Sequence, residues 1–224
     1  MATLRRLVSS ALDLALPPSC SGCGREGEAL CPVCVPAVDA RLALPGGTPI
    51  GLPADIPAPL LQVEWCAPFA GAVRSALHDL KYAGERRLAV PLGAAVARRW
   101  ARVGVGADLV VPVPVHADRE RSRGYDQAAL IASVAAEDLG LSMVRALERR
   151  RATVAQFELG RGERASNVAG AFEVAGAGQG SVGGRWVLLV DDVVTTGATL
   201  AACGDALVRA GAAAVSAIAV ARER

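Results

Sequence analysis

Residues 187–200 read VLLVDDVVTTGATL. The first four are apolar without alternation, which suits a strand of a parallel sheet with both faces covered. Two carboxylates, Asp191 and Asp192, follow at once, and then Thr195, Thr196, Gly197 and Thr199. The rest of the chain keeps a strand-then-helix rhythm. Strands are expected over residues 61–69, 108–115, 141–148, 186–190 and 213–221, and helices over 71–82, 86–103, 125–139 and 198–210. Pro91 falls either in the first turn of the second helix or at a kink in it. This alternation indicates an α/β domain with a mainly parallel sheet.

A chain of 224 residues suits one sizeable core with a small appended module. Three units are expected: residues 1–43 as an N-terminal helix and four-Cys module, 44–60 as a Pro/Gly-rich linker, and 61–224 as the main domain. Apolar residues make up 52% and aromatics only 4%, a globular composition far from that of disordered chains. A net charge of +2 argues against a strongly electrostatic nucleic-acid binder. Residues 210–221 are uncharged but fall short of the roughly 20 residues a membrane-spanning helix needs, so no membrane insertion is expected. Near the start, Arg5 and Arg6 precede an apolar run that Asp13 interrupts, and Leu4, Leu7, Val8, Leu12 and Leu16 fall near helical spacing. That segment reads as a short amphipathic helix over 1–16, and the protein as cytoplasmic.

In open α/β sheets ligands sit beyond the carboxyl ends of the strands, where Asp191 and Asp192 are placed. Gly197 allows a tight turn, and the threonines set hydroxyls beside a helix N-terminus, whose N–H groups and dipole favour phosphate. Carboxylates accept hydrogen bonds from sugar hydroxyls, directly or across Mg²⁺. The stretch therefore fits a ribose 5-phosphate; the same residues also suit a helix N-cap after a buried strand. A Walker-type NTPase site fails, because Lys81 is the only lysine and lacks the glycine frame. Residues 178–183, GQGSVG, match a dinucleotide fingerprint literally but precede a strand, and read as a flexible loop.

Cys20, Cys23, Cys31 and Cys34 form C-x2-C-x7-C-x2-C. Each pair makes a knuckle, and two knuckles complete a tetrahedral structural Zn²⁺ site with no open position. Gly22 and Gly24 help these turns. Disulfides are the alternative, disfavoured in a cytoplasmic protein. Cys66 and Cys203 lie in apolar surroundings and read as core.

VLLVDDVVTTGATL resembles the phosphoribosyl pyrophosphate (PRPP) signature of type I phosphoribosyltransferases. With VPVPVH (111–116), RSRGYDQAA (121–129), RRATVAQFELGRGERASNVAGAF (150–172) and the four-Cys N-terminus, nearly the whole chain resembles the competence-associated ComF family. Where that family usually shows R-G-F-N-Q, this chain has Arg123-Gly124-Tyr125-Asp126-Gln127: the ring is kept and an amide becomes a carboxyl.

The resemblance implies a transferase of the glycosyltransferase class. Asp191 and Asp192 would be its catalytic acids. Thr195, Thr196, Gly197, Ala198 and Thr199, with Arg121 and Arg123, would hold PRPP and its Mg²⁺. The turn at 112–116 would correspond to the pyrophosphate loop. The basic segment with Arg119, Arg121 and Arg123, read as a loop, would close over it, since arginines clamp pyrophosphate bidentately. Each of these arginines also suits a solvated charge run. Arg149, Arg150, Arg151 and Arg161 lie in a second polar stretch, and Thr153, Gln156, Arg164 and Asn167 match the family's T-x-x-Q and R-x-x-N pattern; this stretch would line the site or meet a partner. His78 and His116 read as surface or packing residues, and the role of Lys81 is open. Two functions stand: a phosphoribosyltransferase, or a binding module that senses PRPP or meets single-stranded DNA or competence proteins.

Overall fold

The computed structural model describes residues 17–47, 56–115, 117–149, 171–176 and 178–223. The helix expected over 1–16, His116 and the positions from Arg150 to Asn167 lie outside them. In chain order the elements are β1 (Val63–Pro68), α1 (Gly71–His78), α2 (Ala89–Val103), β2 (Leu109–Pro112), α3 (Ala117–Arg123), α4 (Gln127–Leu139), β3 (Ser142–Met143), β4 (Leu147–Arg149), β5 (Phe172–Val174), α5 (Gly178–Val182), β6 (Trp186–Val194), α6 (Ala198–Arg209) and β7 (Ala214–Arg222).

Five strands form one sheet in the order β1-β7-β6-β2-β3. Every pairing in it is parallel, with Leu188 of β6 opposite Val110 of β2 and Ser216 of β7. β4 and β5 make a separate antiparallel pair. Strand alternation sorts the core into two layers. Val110, Leu188, Val190, Ile218 and Val220 pack with Leu77, Leu92, Val96 and Ile131 from α1, α2 and α4. Val111, Val187, Leu189, Ala217 and Ala219 pack with Leu200, Cys203 and Leu207 of α6. Both faces of β6 are thus covered, as its unbroken apolar run requires. Burying each Leu or Val of this run stabilises the fold by about 1.5–3 kcal/mol.

Several elements differ from the sequence expectation. The helix expected over 71–82 ends at His78 and continues as a π turn, Asp79–Ala83, closed by Gly84 with φ 75°. The strand expected over 141–148 divides into β3 and β4, which belong to different sheets. The basic segment read as a loop forms α3, and the stretch read as a flexible loop contains α5, which buries Val182 in the α6-side core. Pro91 sits in the first turn of α2.

Cys20, Leu30, Cys31 and Val38 join the α1/α2 side of the core, and Asp39 pairs with Arg98 of α2 at 2.8 Å. Gly22 is required there: a Cβ on it would lie 2.7 Å from Cys34 Sγ and 2.8 Å from Ala72 Cβ. Next to this contact, the buried Arg99 guanidinium binds Glu64 Oε2 at 2.7 Å and donates to the carbonyls of Arg41 and Leu44. Those bonds tie the end of the Cys segment to β1. Among the described residues no helix is long and apolar enough to cross a membrane.

Candidate active site

The pairing of β2 with β6 ends at Pro112 opposite Val190. Beyond it, β6 runs on for four residues hydrogen-bonded to β7 alone, with Asp191 opposite Ala219. The acidic pair therefore lies within a strand that is open along one edge, and not in a loop after it. Charged residues ending an apolar run read as a loop, but the long partner strand β7 keeps the ladder going. Successive side chains on a strand point to opposite faces. Asp192 meets Gln127 of α4, and Asp191 lies on the α6 side, where its charge helps to raise the buried Cys203 thiol after burial itself.

Asp192 is buried, and its Oδ2 receives two donors: Lys81 Nζ at 2.9 Å and Gln127 Nε2 at 3.1 Å. Gln127 Oε1 in turn accepts from Arg123 Nη1 at 3.0 Å. The Arg123 guanidinium stands 4.9 Å over the Tyr82 ring, and that of Arg86 stands 4.5 Å over Tyr125. The Tyr125 hydroxyl donates to the carbonyl of Leu80 in the π turn. Lys81, Tyr82, Gly84, Ser122, Arg123 and Tyr125 line an open cavity of about 670 Å³. Burial, and then the charge of Asp192, push the Asp191 carboxyl up to about 8. Its Oδ1 accepts from the Asp192 N–H at 2.8 Å.

After β6 the chain turns through Thr195 and Thr196, both exposed, to Gly197 with φ 82°, a left-handed conformation that favours glycine. Gly197 occupies the cap position of α6, and no side chain caps that end there. Thr196 Oγ1 accepts from the Ala198 N–H at 3.4 Å, and Thr199 is exposed on the first turn. Gly197 itself has no side chain to cap α6, and helix N-terminal N–H groups of this kind suit an anion.

Of the expected site arginines, Arg123 is brought to Asp192 through Gln127, while Arg121 lies exposed on α3. A second cavity of about 360 Å³, lined by Pro112, Pro114, Asp126, Arg145 and Arg149, adjoins the loop after β2. Asp126 caps α4 by accepting from the Ala129 N–H at 3.0 Å, and Arg145 lies 3.3 Å from its other oxygen. Its carboxyl is raised, chiefly by burial. His78 is exposed and stacks against Tyr82 at 4.9 Å between centroids, in keeping with a surface role.

The four Sγ atoms of Cys20, Cys23, Cys31 and Cys34 all lie within 4.8 Å of one another, and no disulfide joins them. The N–H groups of Gly22 and Cys31 point at Cys20 Sγ. Burial alone would raise the Cys20 thiol, but these N–H groups and that of Cys23 bring it down to about 6. Burial and the neighbouring sulfurs push Cys34 up to about 12. Four converging sulfurs of this kind need a cation to become thiolates together, which fits structural zinc. No other group of three or more Cys, His, Asp or Glu ligand atoms converges among the described residues. The acidic pair offers two carboxylates on opposite faces, with one oxygen already taken by Lys81, and so forms no cage for a divalent ion.

The sequence alone names neither Lys81 nor Gln127 as a site residue. Gln127 enters only as the last position of the R-G-F-N-Q-like motif, and Lys81 only as the sole lysine, its role open.

Residues 87–224 match the phosphoribosyl transferase domain family. DNA utilization protein YhgH of Escherichia coli (strain K12) is 32% identical over 204 residues, covering 88% of this chain and 85% of that protein. Competence protein F of Haemophilus influenzae is 34% identical over 94 residues, 42% of this chain and 41% of that protein. A solved glutamine PRPP amidotransferase from B. subtilis is similar with a TM-score of 0.41 and 24% identity, over 59% of this chain and 26% of its own length.

Proposed function

Since the chain belongs to the phosphoribosyl transferase domain family, among its ComF-type members, we propose that it binds PRPP with Mg²⁺ in the cytoplasm and transfers the ribose 5-phosphate group with loss of pyrophosphate. The 5-phosphate sits at Thr195, Thr196, Gly197, Ala198 and Thr199. The ribose hydroxyls meet Asp191 and Asp192. The pyrophosphate lies towards Arg121 and Arg123. The glycine-capped start of α6 beside an acidic pair on the open edge of β6 is the observation that supports this reading most. Zinc in the four-Cys cluster is a structural part of the same protein.

In the reaction the bond from ribose C1 to the pyrophosphate oxygen breaks, its electron pair leaving with pyrophosphate, and an acceptor's lone pair forms the new bond to C1. Positive charge gathers on the sugar as the old bond opens. Asp192 lies ion-paired on one side of it. Asp191 retains its proton near neutral pH, and a cationic sugar beside it favours release of that proton. The arginines stabilise the departing charge, so catalysis is mainly positional and electrostatic. When bound with PRPP, Mg²⁺ would supply further charge neutralisation on the pyrophosphate. Pyrophosphate release from PRPP, followed across a panel of nitrogenous acceptors, tests this: turnover lost in Asp191→Asn/Asp192→Asn supports it, and no turnover with any acceptor counts against catalysis.

The second reading is a non-catalytic module that senses PRPP or contacts single-stranded DNA or competence proteins. The names of the relatives in Escherichia coli and Haemophilus influenzae favour it. It expects the double Asn variant to keep any DNA or protein contact that the wild type makes.

A further inference from the structure

We propose that Lys81 occupies at Asp192 the place a divalent cation would take, so that the ribose 5-phosphate end of a ligand binds this chain without metal. This rests on the reading of residues 191–199 as a ribose-phosphate site, and confines any metal requirement to the pyrophosphate end.

Lys81 Nζ lies 2.9 Å from Asp192 Oδ2, with the two side chains only 20% and 9% exposed. At that distance and burial the ammonium balances the carboxylate before any ligand arrives. Gln127 holds the same oxygen at 3.1 Å, so Oδ2 is saturated. On this proposal Oδ1 is the atom that accepts from a sugar hydroxyl. Lys81 is the only lysine in a chain whose other basic side chains are arginine. An ammonium is a compact, strongly hydrated point charge, whereas a guanidinium is a broad planar fork. The compact cation is thus used where the buried Asp192 would otherwise need a small counter-ion.

Its delivery is fixed by the fold. Lys81 stands in the π turn Asp79–Ala83, and such turns are rare and often mark functional sites. Gly84 closes the turn with φ 75°, and the Tyr125 hydroxyl holds it at the Leu80 carbonyl. Asp191 lies on the other face of β6, so the two acids do not converge on a shared ion.

The test is calorimetric titration of the full, zinc-loaded chain with ribose 5-phosphate, in metal-depleted buffer without chelator and again with Mg²⁺. The wild type is expected to bind equally, within about twofold, in both. Lys81→Met is expected to bind about tenfold more weakly without metal and to regain affinity with Mg²⁺, as an uncovered Asp192 then recruits the ion. A single measurement on the unmutated chain backs this up. Reductive methylation with ¹³C-formaldehyde labels only Lys81 and the N-terminal amine, and the Lys81 resonance should shift on adding ribose 5-phosphate without Mg²⁺. Binding by the wild type only with Mg²⁺ overturns the inference and leaves the ribose-phosphate site standing. So does a folded Lys81→Met that binds like the wild type without metal. No binding under either condition overturns both.

Discussion

The Tyr125 hydroxyl donates to the Leu80 carbonyl across 45 positions of sequence. That bond joins the segment following α3 to the π turn, so the elements carrying Arg123, Gln127 and Lys81 hold one another in place around Asp192. A phenylalanine at this position, as in the R-G-F-N-Q form, would lack this tether.

Tyr125→Phe should therefore keep the stacking with Arg86 and lose the tether. Removing the hydroxyl leaves the buried Leu80 carbonyl unpaired, at a cost of about 1–2 kcal/mol. Urea unfolding should show that loss. Faster amide exchange over residues 79–84 should accompany it, with little change elsewhere.

Asp191 makes stability depend on pH in a direction opposite to most carboxylates. Its folded value is raised from 3.8 to about 8. Its contribution is then fully present below about pH 4 and is lost as pH rises through about 8. Thermal unfolding in the absence of ligand should find Asp191→Asn more stable than wild type at pH 8.5, on the order of 1–3 kcal/mol, with the difference shrinking towards pH 5. A gap that widens towards acid would contradict the raised value.

Gly197 is held at φ 82°, and a Cβ there would stand 3.1 Å from Pro57 Cγ. Gly197→Ala should cost about 1–2 kcal/mol in unfolding free energy from the left-handed backbone alone. The displaced turn should also weaken inorganic phosphate binding, which a phosphate titration of the variant beside the wild type checks.

Much of the fold was legible because the apolar run at 187–190 has no polar alternation and so demands cover on both faces, which α4 and α6 provide. The convergence of the four cysteines was legible because two C-x2-C pairs suit two knuckles, with disulfides as the alternative. Lys81 was not, because DLKYAG looks like a last helical turn. The extra residue per turn that aims its ammonium at Asp192 has no signature in side-chain type. Gln127 meets Asp192 across 65 positions, a contact set by how α4 packs on β6. The run of arginines before Tyr125 read as a loop because charge masks helical periodicity, yet it forms α3.

Removal of zinc should act on the Cys module and leave the acidic pair in place. Cys31→Ser is expected to lose stoichiometric zinc by atomic emission and to expose residues 17–43 to limited proteolysis. Arg99 and Glu64 continue to order β1 and α2, so the α/β core should keep its far-ultraviolet circular dichroism.

The most direct measurement is calorimetric titration of PRPP with Mg²⁺ into the zinc-loaded protein, run beside Asp191→Asn/Asp192→Asn. Saturable binding by the wild type is expected, weakened at least about a hundredfold in the variant, since the charge-assisted contact of Asp192 and the hydrogen bond of Asp191 are both lost. Equal binding by both proteins, or none by a well-folded wild type, would contradict it.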